Sequence, residues 1–249
     1  MDHIELIPLF FLIAVIYSSA GFGGGSSYLA LLTFFELNFH ILRSTSLLCN
    51  IMVVSATSLF YIYLNFISFK KVAPLIVTSI PAAYLGGWIP LRESSFFLLL
   101  AATLLGAAIL MWFKKDRQES TALVSGYQEI ILSGLVGALI GFLSGMVGIG
   151  GGIFLAPILY LLQWDSPQRI AATCSLFILI NSMAGLAGQM SQPAFQLDWS
   201  FAVPLMIAVL IGGQIGQRLG VFRLHQVWIK RITSLLIFAV GIRILLQQL

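Results

Sequence analysis

A glycine cluster breaks an apolar stretch of this chain, and it does so twice. Gly21-Phe22-Gly23-Gly24-Gly25 interrupts the first apolar run, and Gly148-Ile149-Gly150-Gly151-Gly152 interrupts a later one. A second pair keeps nearly the same interval: Leu85-Gly86-Gly87-Trp88-Ile89-Pro90-Leu91-Arg92 matches Ile211-Gly212-Gly213-Gln214-Ile215-Gly216-Gln217-Arg218. Between them, Ser44-Thr45-Ser46-Leu47 loosely matches Ala172-Thr173-Cys174-Ser175. Self-similarity at a fixed interval marks a duplicated unit. The fold must therefore place helix-breaking segments at equivalent points of two halves.

The segments being broken are membrane segments. Hydrophobic residues make up 59% of the chain and charged residues 9%, with a mean hydropathy of +1.00. Soluble domains carry roughly a quarter charged residues, so an all-α integral membrane protein is the class that fits. Apolar stretches run through 4–20 and 26–35, 44–67, 72–91, 94–113, 128–147 and 153–163, 170–190, 199–217 and 228–246. A spanning helix needs about 20 residues, so six are expected as simple spans. The two glycine-split regions read either as a span with an extended tail or as a hairpin of a long and a short helix. A polar linker, 114–127, separates a first unit, 1–113, from a second, 128–249. Met1-Asp2-His3-Ile4-Glu5 lacks the basic region and cleavage site of a secretory signal and reads as retained.

Loop charge distinguishes the two readings. With eight alternating spans, six basic residues fall on one side and seven on the other, which sets no orientation. If each glycine-split region enters and leaves on one side, Lys70, Lys71, Lys114, Lys115, Arg117, Arg169, Arg218, Arg223, Lys230 and Arg231 collect on the cytoplasmic side. Arg43, Arg92 and Arg243 remain outside, and ten against three obeys the positive-inside rule. An odd number of crossings per unit inverts the second half, giving inverted repeats with both termini outside, each with a glycine-broken hairpin and three spans. The same loops account for the pI near 9.2, so no nucleic-acid partner is expected.

Irregular backbone at membrane depth survives only inside protein or against a water-filled cavity. A short helix starting just after each cluster, at Ser26 or Ile153, would aim its positive dipole end and its free N–H groups at the break. That makes an anion site without charged side chains. The competing reading is that glycines merely let helices pack closely. Packing is expected for Gly86-Gly87 and Gly212-Gly213, and substrate lining for Gly21, Gly23, Gly24, Gly25, Gly148, Gly150, Gly151 and Gly152. Ser26 and Ser27 add hydroxyls after the first cluster, where the second has Ile153 and Phe154, so the site is asymmetric.

Polar side chains within spans are further candidates: Thr45, Ser46 and Asn50 in one half, Thr173, Ser175 and Asn181 in the other. Interhelical hydrogen bonding competes for all of them. Asn50 and Asn181 occupy similar places in equivalent stretches. Pro81 and Pro204 are expected to kink their helices and free carbonyls. No Asp, Glu, Lys, Arg or His lies well inside an expected span, which argues against a cation substrate, a side-chain proton relay or an intramembrane hydrolase. No metal or cofactor site is expected. Cys49 and Cys174 read as small buried hydrophobes; a membrane accessory that hands on sulfur would instead need them reactive.

The glycine break followed by Tyr28-Leu29-Ala30 or Phe154-Leu155-Ala156-Pro157 resembles the TauE/SafE family of sulfite and organosulfonate permeases, as do the Thr45-Ser46 and Thr173-Ser175 segments and the later Gly-Gly pair ending in Arg. The resemblance covers almost the whole chain. It implies a non-enzymatic transporter of a small sulfur-containing anion in the bacterial inner membrane, using the glycines, Thr45, Ser46, Thr173 and Ser175. Arg43 and Arg169, which precede those segments, read either as attractors at a mouth or as topology anchors. A passive anion channel of the same fold stays open beside the transporter, as do direction, coupling ion and oligomeric state.

Overall fold

The computed structural model describes residues 4–19, 21–35, 38–112, 127–162 and 164–222, with single positions 235, 238, 242, 245 and 246. Within them every regular element is helical. The order is α1 (Leu6–Ser19), α2 (Gly25–Leu32), a 3-10 turn (Thr33–Phe35), α3 (Phe39–Tyr63), α4 (Phe69–Trp88), α5 (Glu93–Trp112), α6 (Tyr127–Val147), α7 (Gly152–Leu161), α8 (Pro167–Met190) and α9 (Trp199–Phe222). Nearly all of the expected linker and most of the last expected span, 228–246, lie outside the described residues.

Four described helices are long and apolar enough to cross a membrane: Phe39–Tyr63, Tyr127–Val147, Gln168–Met190 and Trp199–Leu219. That is fewer than the six simple spans expected, and one of the four, α6, precedes a glycine cluster. α4 opens on Lys70 and Lys71 and contains Pro74 and Pro81. The two glycine-broken helices also differ from each other. α1 has 14 residues and rises about 21 Å, short of a hydrocarbon core of about 30 Å. α6 has 21 residues and rises about 32 Å.

α3 begins earlier than its apolar content suggests. The Asn38 side chain accepts a hydrogen bond from His40 N at 2.9 Å and caps the helix there. The first turns of α3 thus take in Arg43, which is 1% exposed. Arg43 is a buried helical residue rather than a loop charge.

Packing pairs cross between the halves. α4 lies along α6 and α1 along α9, while α3 and α8 pack on each other and are flanked by α9 and α4 respectively. Small residues bring these backbones close. A Cβ at Gly141 of α6 would lie 2.6 Å from the Ser79 carbonyl oxygen of α4. One at Gly212 of α9 would lie 2.5 Å from the Phe11 oxygen of α1. Gly86, Gly137, Gly145 and Gly216 make similar backbone approaches, so the later glycine pair packs as expected.

Candidate functional site

Each glycine cluster ends one helix and starts another, and the bonding explains how. At the end of α1, Gly21 adopts φ +80°. Its N–H donates to Ser18 O at 3.0 Å, and Phe22 N donates to Tyr17 O at 2.9 Å. This pair of bonds is a Schellman ending, which requires a left-handed residue and so favours glycine. Gly24, at φ 85°, then caps α2 and accepts from Ser27 N and Tyr28 N, both at 2.9 Å. Tyr17 Oη and Ser27 Oγ, 2.5 Å apart, pin the short helix back onto α1. Phe10 and Tyr28 stack with ring centroids 4.7 Å apart.

The second cluster repeats the turn with one substitution. Gly148, at φ +83°, and Ile149 both donate to Ser144 O, at 2.8 and 3.3 Å. The carbonyl of Gly145, whose counterpart Ser18 accepts from Gly21, here accepts from Arg43 Nη2 at 3.4 Å. The Arg43 guanidinium also lies 5.7 Å from the centroid of the Phe96 ring. It has no ion-pair partner among the described residues, and its Nε is buried and unpaired. A helix C-terminus stabilises a cation through its carbonyls and dipole. Arg43 thus sits at the end of α6.

The two clusters meet across α3. Asn50, fully buried, donates from Nδ2 to Ile149 O at 2.7 Å, and added Cβ atoms at Gly23 and Gly25 would strike its side chain. On the other side, a Cβ at Gly152 would strike Ile178. Ile178, not Asn181, therefore stands against the second cluster as Asn50 stands against the first. Sequence alignment of the two asparagines misses this by almost a helical turn. The clusters also exchange neighbours: Gly21 packs on Ala171 of α8, and Gly148 on Arg43 of α3.

Between the clusters lies a cavity of about 20 Å³. Its polar wall is Tyr17, Gly23, Gly24, Gly25, Ser26 and Asn50; its apolar wall is Phe22, Ile149, Gly152, Ile153, Ala156 and Ile178. That volume holds about one water. The N–H groups of Gly23, Gly24, Gly25 and Ser26 have no backbone acceptor among the described residues, nor do those of Gly150, Gly151, Gly152 and Ile153. Among the described residues no charged side chain lines the cavity.

Six of the candidate residues therefore share one cavity: Gly23, Gly24, Gly25, Ser26, Asn50 and Gly152. The others lie around it. Gly21, Gly148, Gly150 and Gly151 form the turns, the last two at φ +84°. Ser46 Oγ donates to Gly25 O at 2.9 Å and steadies the start of α2. Ser175 Oγ and Ser58 Oγ lie 2.9 Å apart, and Asn181 donates to Phe177 O at 2.8 Å and to Ser79 Oγ at 3.0 Å. The hydroxyls of Thr45 and Thr173 are buried without a partner, away from the cavity lining. Arg169 lies 3.8 Å from Asp165, which also pairs with Lys71 at 3.4 Å. Cys49 and Cys174 are fully buried free thiols in two different core clusters. Among the described residues no group of three metal-ligating side chains occurs.

Sequence reasoning missed Tyr17, Phe22, Ile149, Ile153, Ala156 and Ile178. Tyr17 was within reach, because it lies one helical turn before Gly21. Ile178 was not, because an apolar residue in an apolar stretch carries no signal.

The family model described as "Sulfite exporter TauE/SafE" matches residues 6–244. The chain is similar to the "Probable membrane transporter protein y4hK" of Sinorhizobium fredii, at 31% identity over 98% of each chain. It is also similar to the "Probable membrane transporter protein YunE" of Bacillus subtilis, at 24% identity over 87% of this chain and 88% of the relative. The "Probable membrane transporter protein MamO" of Paramagnetospirillum magneticum is 26% identical over 88% of this chain but only 40% of its own length. No solved structure matches. A chain of apolar helices built around paired glycine breaks, matched from end to end by membrane transporters, belongs to the TauE/SafE sulfite exporter family.

Proposed function

We propose that this membrane transporter moves a small sulfur-containing oxyanion, such as sulfite or an organosulfonate, by alternating access across the bacterial inner membrane. The observation that carries the reading is the row of N–H groups at Gly23, Gly24, Gly25 and Ser26 without a backbone acceptor among the described residues, beside a cavity that Ile149, Gly152 and Ile153 of the second break also line. Such N–H groups at a helix start hold an anion without a charged side chain. The cavity is smaller than an oxyanion, so substrate enters only when the α1–α2 and α6–α7 hairpins separate. Crossed packing of α4 on α6 and α1 on α9 supports two inverted repeats that rock against each other. Ten basic residues against three in the loop assignment support both termini lying outside, and Arg43, one of the three, is now removed from that count by its burial.

Reconstitution into vesicles tests this. Saturable flux of sulfite or a sulfonate, with no comparable chloride flux, is expected. Gly24→Val and Gly151→Val should abolish flux while the chain still inserts. Wild-type flux in both variants would sink the site assignment, and flux that never saturates would make the protein a channel.

A further inference from the structure

Asn50 carries an unfinished hydrogen bond. Its Oδ1 is buried and has no partner, while its Nδ2 is committed to Ile149 O at 2.7 Å. The amide cannot turn over, because Oδ1 would then face the Ile149 carbonyl, acceptor against acceptor. Oδ1 is therefore held against Gly23 at the cavity wall, beside the N–H groups that have no backbone acceptor among the described residues. The wall offers donors and a fixed acceptor together. A fully deprotonated oxyanion satisfies the donors and leaves Oδ1 stranded. A water there would satisfy Oδ1, but a ligand that displaces it must bring a donor of its own or lose affinity. An oxyanion with one O–H satisfies both kinds of group.

We infer, building on the anion reading above and narrowing it from sulfonates to hydrogen sulfite, that the site takes a singly protonated oxyanion, held by the glycine N–H groups through its oxygens and by Asn50 Oδ1 through its O–H. The substrate then carries its own proton past a cavity that, among the described residues, no Asp, Glu, His, Lys or Arg lines. Asn50 sets this preference, and its counterpart Ile178 cannot, so only one orientation of the anion is served.

Tyr17 of α1 lines the cavity with Asn50; α3 itself carries His40, Arg43, Cys49, Tyr61 and Tyr63, and the helices packed on it bring Tyr28 on α2, Arg169 and Cys174 on α8 and the exposed Arg218 on α9. The turn at Ile149–Gly150 brings none. Tyrosine, cysteine and arginine ordinarily titrate above about pH 8, and His40 stands ten residues, about 15 Å, along α3 from Asn50, so a change below about pH 8 belongs to the ligand.

Binding to the purified full chain is measured by calorimetry from about pH 5.5 to about pH 8. The probes are sulfite, which passes from its hydrogen form to the dianion over that range, and methanesulfonate, a monoanion with three sulfur-bound oxygens and no O–H. Affinity for total sulfite should fall in step with its protonated fraction. Methanesulfonate should bind at least about tenfold more weakly than sulfite at the acid end, without pH dependence. Asn50→Leu should erase the difference between the two. Equal affinity for both ions in the wild type, or sulfite affinity that holds or rises toward pH 8, would overturn the inference and leave the anion site standing. Binding of neither ion at any pH would remove the anion reading as well. The wild-type profile alone decides if Asn50→Leu fails to fold.

Discussion

Gly151→Ala should be far more damaging than its single methyl group suggests. Gly151 has φ +84°, and an L-residue in that left-handed region costs about 1–2 kcal/mol. The new Cβ would lie 3.0 Å from Phe177 Cε1, 3.1 Å from Ile140 Cγ2 and 3.2 Å from Ser144 Cβ. Phe177 and Ser144 are 0% exposed and Ile140 is 4% exposed, so none has free space to retreat into. Overpacking of that kind adds about 1–3 kcal/mol. The two effects come to roughly 2–5 kcal/mol, or a melting temperature lower by about 4–20 °C for a chain of this size. The chain contains its own probe, since the thiols of Cys49 and Cys174 are fully buried and react with a fluorogenic maleimide only once the core opens. Gly106→Ala is the control. It lies within α5 with nothing inside 4 Å of an added Cβ. There the change should stabilise by about 0.5–1 kcal/mol through helix propensity. A Gly151→Ala protein that melts with the wild type, or a Gly106→Ala protein that falls as far, would refute the reasoning.

Three further outcomes are expected. Ser58→Ala and Ser175→Ala should each destabilise the α3–α8 contact, because each leaves the other hydroxyl buried and alone; a double-mutant cycle on melting should give a coupling of about 0.5–1 kcal/mol. Asp198 caps α9, and the Ser200 hydroxyl, with the Phe201 and Ser200 N–H groups, holds its carboxyl below the usual value. Its contribution is therefore present above an unfolded pKa of about 3.9 and lost as pH falls through the lower folded value. The difference in melting temperature between wild type and Asp198→Asn should be constant above about pH 5 and shrink below about pH 4. Asp165 pairs with Lys71 and Arg169, which are 41% and 48% exposed, so Asp165→Asn should change stability by under about 1 kcal/mol, and added salt should remove even that.

Much of the helical order is legible without coordinates because it follows from composition and from glycine. Apolar runs bounded by loops place α4, α5, α6, α8 and α9 to within a few residues at most boundaries. The starts of α2 and α7, expected at Ser26 and Ile153, fall at Gly25 and Gly152. The boundary of α3 was less legible, since Asn38 caps the helix ahead of the apolar run and carries Arg43 inside. Apolar content marks what lipid or core accepts, whereas a cap marks where the backbone begins to coil.

Local sequence determines that this chain is a helical membrane protein broken at Gly21–Gly25 and Gly148–Gly152, because burial and positive φ act on each residue where it stands. It also puts forward a wider set of candidates, of which Gly23, Gly24, Gly25, Ser26, Asn50 and Gly152 meet at one cavity while Thr45, Ser46, Thr173, Ser175, Asn181 and the remaining cluster glycines do not line it. Which residues oppose which is a property of packing between α3, α8 and the two hairpins. That packing sets Asn50 between the two clusters and Ile178 against the second, and it gives Gly145 O to Arg43. The partners lie about a hundred residues apart in the chain, and nothing in either local pattern encodes the distance between them.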